Sequence, residues 1–114
     1  MFNEMVQKRK MLDEVPKADV VITNPTHYAV ALKYESDRMK APQVVAKGSD
    51  MLALKIKEIA FQNDVMIRED RMLARSLFET VEVGQPIPEE MYEVVAAIFR
   101  LVYELKDQAA AEAV

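Results

Sequence analysis

The 114-residue chain has no cysteine, no tryptophan, two glycines and one histidine. Without cysteine there is no disulfide scaffold, thiolate zinc site or thiol nucleophile, and the composition fits a reducing compartment. His27, standing alone, excludes a histidine-rich metal centre. Gly48 and Gly84 lie far apart, so there is no phosphate loop, dinucleotide fingerprint, nucleophile elbow or Gly/Ser linker. Long apolar runs are also missing. Charged residues interrupt every stretch before the roughly 20 residues that span a bilayer, and MFNEMVQKRKML lacks the apolar run and cleavage site of a secretory signal. Positive charge is in deficit, with 15 Lys and Arg against 19 Asp and Glu. The net charge of −4 gives no general electrostatic reason to grip nucleic acid, and none is expected as a partner. No cofactor and no metal is expected.

What is present, 51% hydrophobic and 30% charged residues, suits one soluble globular domain with its own core. Phe2, Met5, Val6 and Leu12 recur at helical spacing around a basic Lys8-Arg9-Lys10 cluster, and Val15-Pro16-Lys17 ends that helix. Val20 to Thr23 is β-branched. Tyr28, Val30, Leu32 and Tyr34 then fall on one face at period two, with Ala29, Ala31 and Lys33 on the other, as in a strand under a helix. After a polar loop, Glu35 to Ala41, a short strand over Gln43 to Lys47 ends at Gly48, and Ser49 is placed to cap a helix from Asp50 to Asn63. That helix buries Leu52, Ile56, Ile59 and Ala60 and leaves Lys55, Lys57 and Glu58 to solvent. Val65 to Glu69 reads as a strand, and Asp70 caps a helix through Thr80. Pro86 to Glu90 has the composition of a helix start. From there Met91, Val94, Val95, Ile98, Leu101, Val102 and Leu105 form an apolar stripe to about Lys106, widened by Phe99 and Tyr103, before a fraying tail. The expected fold is α/β, a central mixed sheet of about four strands packed by about four helices, one of them an N-terminal connector.

Three features carry possible chemistry. Glu89-Glu90 suggests paired carboxylates, but neighbours on a helix point about 100° apart, and acids suit a helix start. Lys8-Arg9-Lys10 reads either as a solvated face or as a segment near anionic headgroups. Asn24-Pro25-Thr26-His27, between two strands, reads first as a turn, since proline pre-sets the dihedral of the second turn position. It has a second reading. The proline nitrogen carries no hydrogen and cannot attack the asparagine side chain. The reverse attack remains open: the Asn24 side-chain nitrogen adds to its own carbonyl carbon, expels the proline nitrogen and cuts the chain. Such a cut needs a near-attack geometry and help with proton transfer. His27 is the candidate base, because imidazole titrates near about pH 6.5; as a bland alternative it is an exposed turn residue bonded to water. Thr26, through its hydroxyl or amide, is a candidate to orient the carbonyl or stabilise its oxyanion.

VPKADVVITNPTHYAVALKY, then APQVVAKG and LARSLFETVEVGQPIPEEMYEVVAAI, resembles the cytoplasmic domain of the FlhB/YscU family, export-apparatus switch proteins of flagellar and virulence type III secretion. The resemblance runs from about Met5 to Lys106, and the tetrad maps without substitution onto Asn24, Pro25, Thr26 and His27. Tyr28 to Tyr34 is closer to the flagellar branch than to the injectisome branch. The resemblance implies single-turnover self-cleavage between Asn24 and Pro25, with both pieces staying associated, rather than a turnover enzyme. It implies a part in switching export substrates, with other export-apparatus proteins, export substrates and a substrate-length sensor as partners. It also implies a location at the cytoplasmic face of the bacterial inner membrane, through an N-terminal transmembrane region that this chain lacks. Residues 1–16 would then be the connector, 17–108 the self-cleaving domain and 109–114 a flexible tail. The alternatives are an injectisome homologue, a non-cleaving interaction module, and a hydrolase using His27, which lacks an evident orienting acid or serine partner.

Overall fold

A β-branched run and an alternating run of large and small residues form the centre of the molecule. β1 (Val20–Asn24) and β2 (Tyr28–Lys33) pair antiparallel, with Asn24 opposite Tyr28. β3 (Gln43–Ser49) joins the outer side of β2 antiparallel, and β4 (Met66–Glu69) joins β1 in parallel, giving a mixed sheet in the order β3-β2-β1-β4. The helices are α1 (Phe2–Glu14), α2 (Asp50–Gln62), α3 (Arg71–Thr80) and α4 (Tyr92–Glu112), with 3-10 turns at Val15–Lys17 and Glu89–Met91. This computed structural model describes residues 2–112, with side chains from Val6 onward. Met1, the side chains of Phe2 and Met5, and the last two residues of the expected tail lie outside the described residues. The α/β architecture expected from the sequence, four strands and four helices with one at the N-terminus, is the one observed.

The period-two pattern sorts the core into two clusters, one on each face of the sheet. Val20, Ile22, Val30 and Leu32 pack with Leu73 and Leu77 of α3 and with Val95, Ile98, Phe99 and Val102 of α4. Tyr28 and Tyr34 lie against the same cluster. On the opposite face Val21, Ala29, Ala31 and Ala46 meet Val15 and the Ala53, Ile56 and Ala60 stripe of α2.

Several local expectations change. β3 does not stop before Gly48 but continues to Ser49. Ser49 occupies the position before α2, yet its side chain makes no capping bond. Asp50 instead enters the helix with φ of 52°, a left-handed conformation costly for a residue with a Cβ. Its N–H is aimed at the His27 carbonyl, 3.0 Å away. Gly48 is required by a close approach: a Cβ there would sit 2.5 Å from Leu52 Cγ. Asp70 does cap α3, its carboxylate accepting from the Leu73 N–H at 3.1 Å. The prolines before α4 do not begin it. Ile87 is buried, and the chain turns through Glu89–Met91 before α4 starts at Tyr92. α4 then passes Lys106 to Glu112, because the alanines there favour helix. Of its expected stripe, Val94, Leu101, Tyr103 and Leu105 are exposed, while Val95, Ile98, Phe99 and Val102 are buried.

Candidate functional site

Asn24, Pro25, Thr26 and His27 form the tip of the β1-β2 hairpin. β1 is an inner strand, paired on both sides, and Val20, Val21 and Ile22 have no solvent exposure. Asn24 therefore sits at the end of a rigidly held segment. One residue back, the buried Thr23 gives its carbonyl to the Asp70 N–H at 2.9 Å. Asn24 and Pro25 are half-buried, and Thr26 and His27 are exposed.

The turn closes through the His27 N–H, which donates to the Asn24 carbonyl at 2.9 Å with proline in the second position. That carbonyl belongs to the Asn24–Pro25 bond, which is trans, there being no cis peptide among the described residues. A backbone donor at this distance polarises the carbonyl and is placed to follow its oxygen as negative charge develops. The sequence points to Thr26 for such a part; the amide that bonds this carbonyl is that of His27. The Thr26 hydroxyl is instead 2.9 Å from His27 Nδ1. When Nδ1 carries the proton and donates to Thr26, the lone pair of Nε2 is left free to accept one. Among the described residues, the hydrogen bond of the His27 ring is to Thr26 and not to the Asn24 side chain. A base role would therefore run through a water or a ring rotation.

α2 supplies two further contacts. Asp50 N–H holds the His27 carbonyl, and the Lys57 ammonium donates to the Pro25 carbonyl at 3.0 Å. The helical pattern assigns Lys57 to solvent, but it is half-buried and reaches the turn. Only the hairpin's placement beside α2 makes that contact visible, so no local pattern marks it. On the opposite side Tyr28 stacks on Phe78 with ring centroids 4.6 Å apart. A surface groove runs between α1 and β3 beside Lys47 and Phe78; it includes Ser49 and Asp50 but none of Asn24 to His27. Among the described residues no group of histidine and carboxylate side chains is arranged to hold a metal ion, and no helix is long and apolar enough to cross a membrane.

The model of the FlhB HrpN YscU SpaS family matches residues 1–102. The chain belongs to this family. It is 57% identical over 100 residues to the flagellar biosynthetic protein FlhB of Bacillus subtilis, covering 88% of this chain and 28% of that protein. With FlhB of Salmonella typhimurium it shares 48% over 99 residues, 87% of this chain and 26% of the relative. The chain thus spans little more than a quarter of these family members. Among solved structures, the crystal structure of the cytoplasmic domain of FlhB from Shewanella putrefaciens superposes with a TM-score of 0.86 at 40% identity, covering 91% of this chain and 80% of that one. An asparagine-to-aspartate variant of the EscU C-terminal domain gives 0.78 at 35% identity, covering 81% and 98%.

Proposed function

We propose that this chain is the cytoplasmic domain of a flagellar protein export component, and that it cuts itself once between Asn24 and Pro25 to help switch the class of substrate exported. The observation that carries the cut is the held scissile carbonyl: Asn24 O accepts from His27 N–H, in a turn whose proline cannot divert the asparagine into the ordinary attack by the following amide. The flagellar assignment is supported by the names of the similar curated proteins, which are flagellar biosynthetic proteins. Solved EscU C-terminal domains carry substitutions at an asparagine, at the proline that follows it and at a histidine two beyond, the spacing of Asn24, Pro25 and His27.

In the proposed reaction Asn24 Nδ2 bonds to the Asn24 carbonyl carbon and the bond from that carbon to Pro25 N breaks. One proton leaves Nδ2, by way of His27, and one is taken up by Pro25 N. The products are a chain ending in a succinimide and a chain beginning with proline, and no water is consumed. The reaction is intramolecular and happens once, so the domain is not a turnover enzyme. Because β1 lies between β2 and β4, the cut frees a surface loop and leaves the sheet intact. Other export-apparatus proteins, export substrates and a substrate-length sensor would read the altered loop, at the cytoplasmic face of the inner membrane, to which the rest of the protein anchors it.

Denaturing intact-mass analysis of fresh protein, followed from about pH 5 to about pH 9, tests this reading. Expected are two species dividing at Asn24–Pro25 whose masses sum to that of the whole chain, at a rate that rises with pH as a general base in the turn requires. Asn24→Ala should stay whole, and Thr26→Ala should cut at a reduced or unchanged rate. A parent chain that persists uncut makes the domain a non-cleaving interaction module; a cut Asn24→Ala chain rules out cyclisation.

A further inference from the structure

We propose that Lys57 is a positioning residue for the cut, holding the departing proline in place from across the domain; the inference rests on the self-cleavage reading above. Lys57 stands 32 residues beyond Pro25 in sequence and on a different element, yet its ammonium donates to the Pro25 carbonyl at 3.0 Å. The neighbouring Ile56 and Ala60 are fully buried against the sheet, so the helix that carries Lys57 has little freedom to move relative to β1.

The effect follows from the backbone of one residue. The pyrrolidine ring fixes φ of Pro25. A charged donor on the Pro25 oxygen orients the next peptide plane and so fixes ψ. With both dihedrals set, the nitrogen that must leave cannot swing away from the Asn24 carbonyl, whose oxygen is held by the His27 N–H. Asp50 fixes the far end of the turn at the His27 carbonyl. The near-attack geometry is therefore a property of the hairpin docked on α2, not of the tetrad alone. The Lys57 hydrogen bond is to the Pro25 oxygen and not to the attacking nitrogen, so Lys57 acts through Pro25.

The test is the cleavage rate of Lys57→Met and Lys57→Arg chains, pulse-labelled during cell-free synthesis and chased across pH. The rate is counted per folded molecule, using the folded fraction of the same variants carrying Asn24→Ala. Lys57→Met should slow the cut about tenfold or more at every pH, as expected when a charge-assisted contact that orders a reacting geometry is lost, without changing the shape of the pH profile. Lys57→Arg, which keeps a charged donor, should fall within about threefold of the parent. With a parent chain that cuts, four outcomes overturn the proposal: a Lys57→Met chain that cuts at the parental rate, an effect that vanishes when counted per folded molecule, an arginine variant as slow as the methionine one, or a pH profile that loses a limb, which would make Lys57 a proton donor. A parent chain that never cuts overturns this inference together with the self-cleavage reading, whereas a cutting parent with an indifferent Lys57 overturns this one alone.

Discussion

The two faces of the sheet are built from residues of different size. On one, Val20, Ile22, Val30 and Leu32 fill the space beneath two helices, α3 and α4. On the other, Ala29, Ala31 and Ala46 oppose Ala53 and Ala60 of α2, beside the larger Val15, Val21 and Ile56, with Met11 and Leu12 of α1 at the margin. Burial of large side chains supplies most hydrophobic stabilisation, in proportion to the area removed from water. Small ones supply less of it but let a helix come close, and Gly48, with no room for a Cβ beside Leu52, marks how close α2 comes. The first face chiefly holds the fold together. The second sets where α2 lies, and with it the two contacts by which Asp50 and Lys57 hold the turn.

Leu32→Ala should show the largest effect. Leu32 is fully buried on the large-residue face, and its truncation should cost about 2–5 kcal/mol in urea unfolding of the Asn24→Ala background. Its cleavage rate per folded molecule should stay within about twofold of the parent; a much slower cut would mean that both faces position the turn. Ala31→Leu probes the other face. Overpacking should cost about 1–3 kcal/mol, less than Leu32→Ala, yet slow the cut by displacing α2. Unchanged cleavage in a folded Ala31→Leu chain would separate the position of α2 from the chemistry. The smallest effect belongs to Glu35, just beyond Lys33, where the alanine face ends in charge. Arg38 first, and Lys33 at 3.1 Å second, hold its carboxyl below the ordinary carboxylate range. A lowered folded-state pKa stabilises the fold above the unfolded value and is lost as pH falls through the folded one. Glu35→Gln should therefore lower Tm slightly at neutral pH and converge with the parent in acid, with cleavage untouched.

Much of this division was legible in the chain. The alternation from Tyr28 to Tyr34 separated the two faces correctly because side chains in a strand have a period of two whatever they pack against. Asp70 was readable as a cap because its partner lies three residues away. Ser49 looked equally suitable, but β3 extends to it and Asp50 adopts a left-handed conformation, so the helix starts without the side-chain bond. On α4 the spacing identified the buried stripe and overfilled it with Val94, Leu101, Tyr103 and Leu105, since periodicity cannot say how wide a neighbour is. At the turn, chemistry and the family resemblance single out the four residues, which the structure places together at the hairpin tip. Lys57 was missed for a physical reason: a helical pattern assigns a lysine away from the apolar stripe to solvent, and only tertiary placement brings a hairpin tip within its reach.

The inner position of β1 has a thermodynamic consequence for a molecule divided at Asn24. Its folded form becomes a complex of two chains, joined through strand pairs on both sides of β1. Unfolding such a complex releases two particles instead of one, so its melting temperature must rise with protein concentration, while that of the undivided chain does not. Exchange of the short piece for a labelled copy can proceed no faster than the sheet opens. At low concentration a divided molecule that once lost β1 would rarely recover it, which makes the state after the cut stable by its slowness to open and not by its equilibrium.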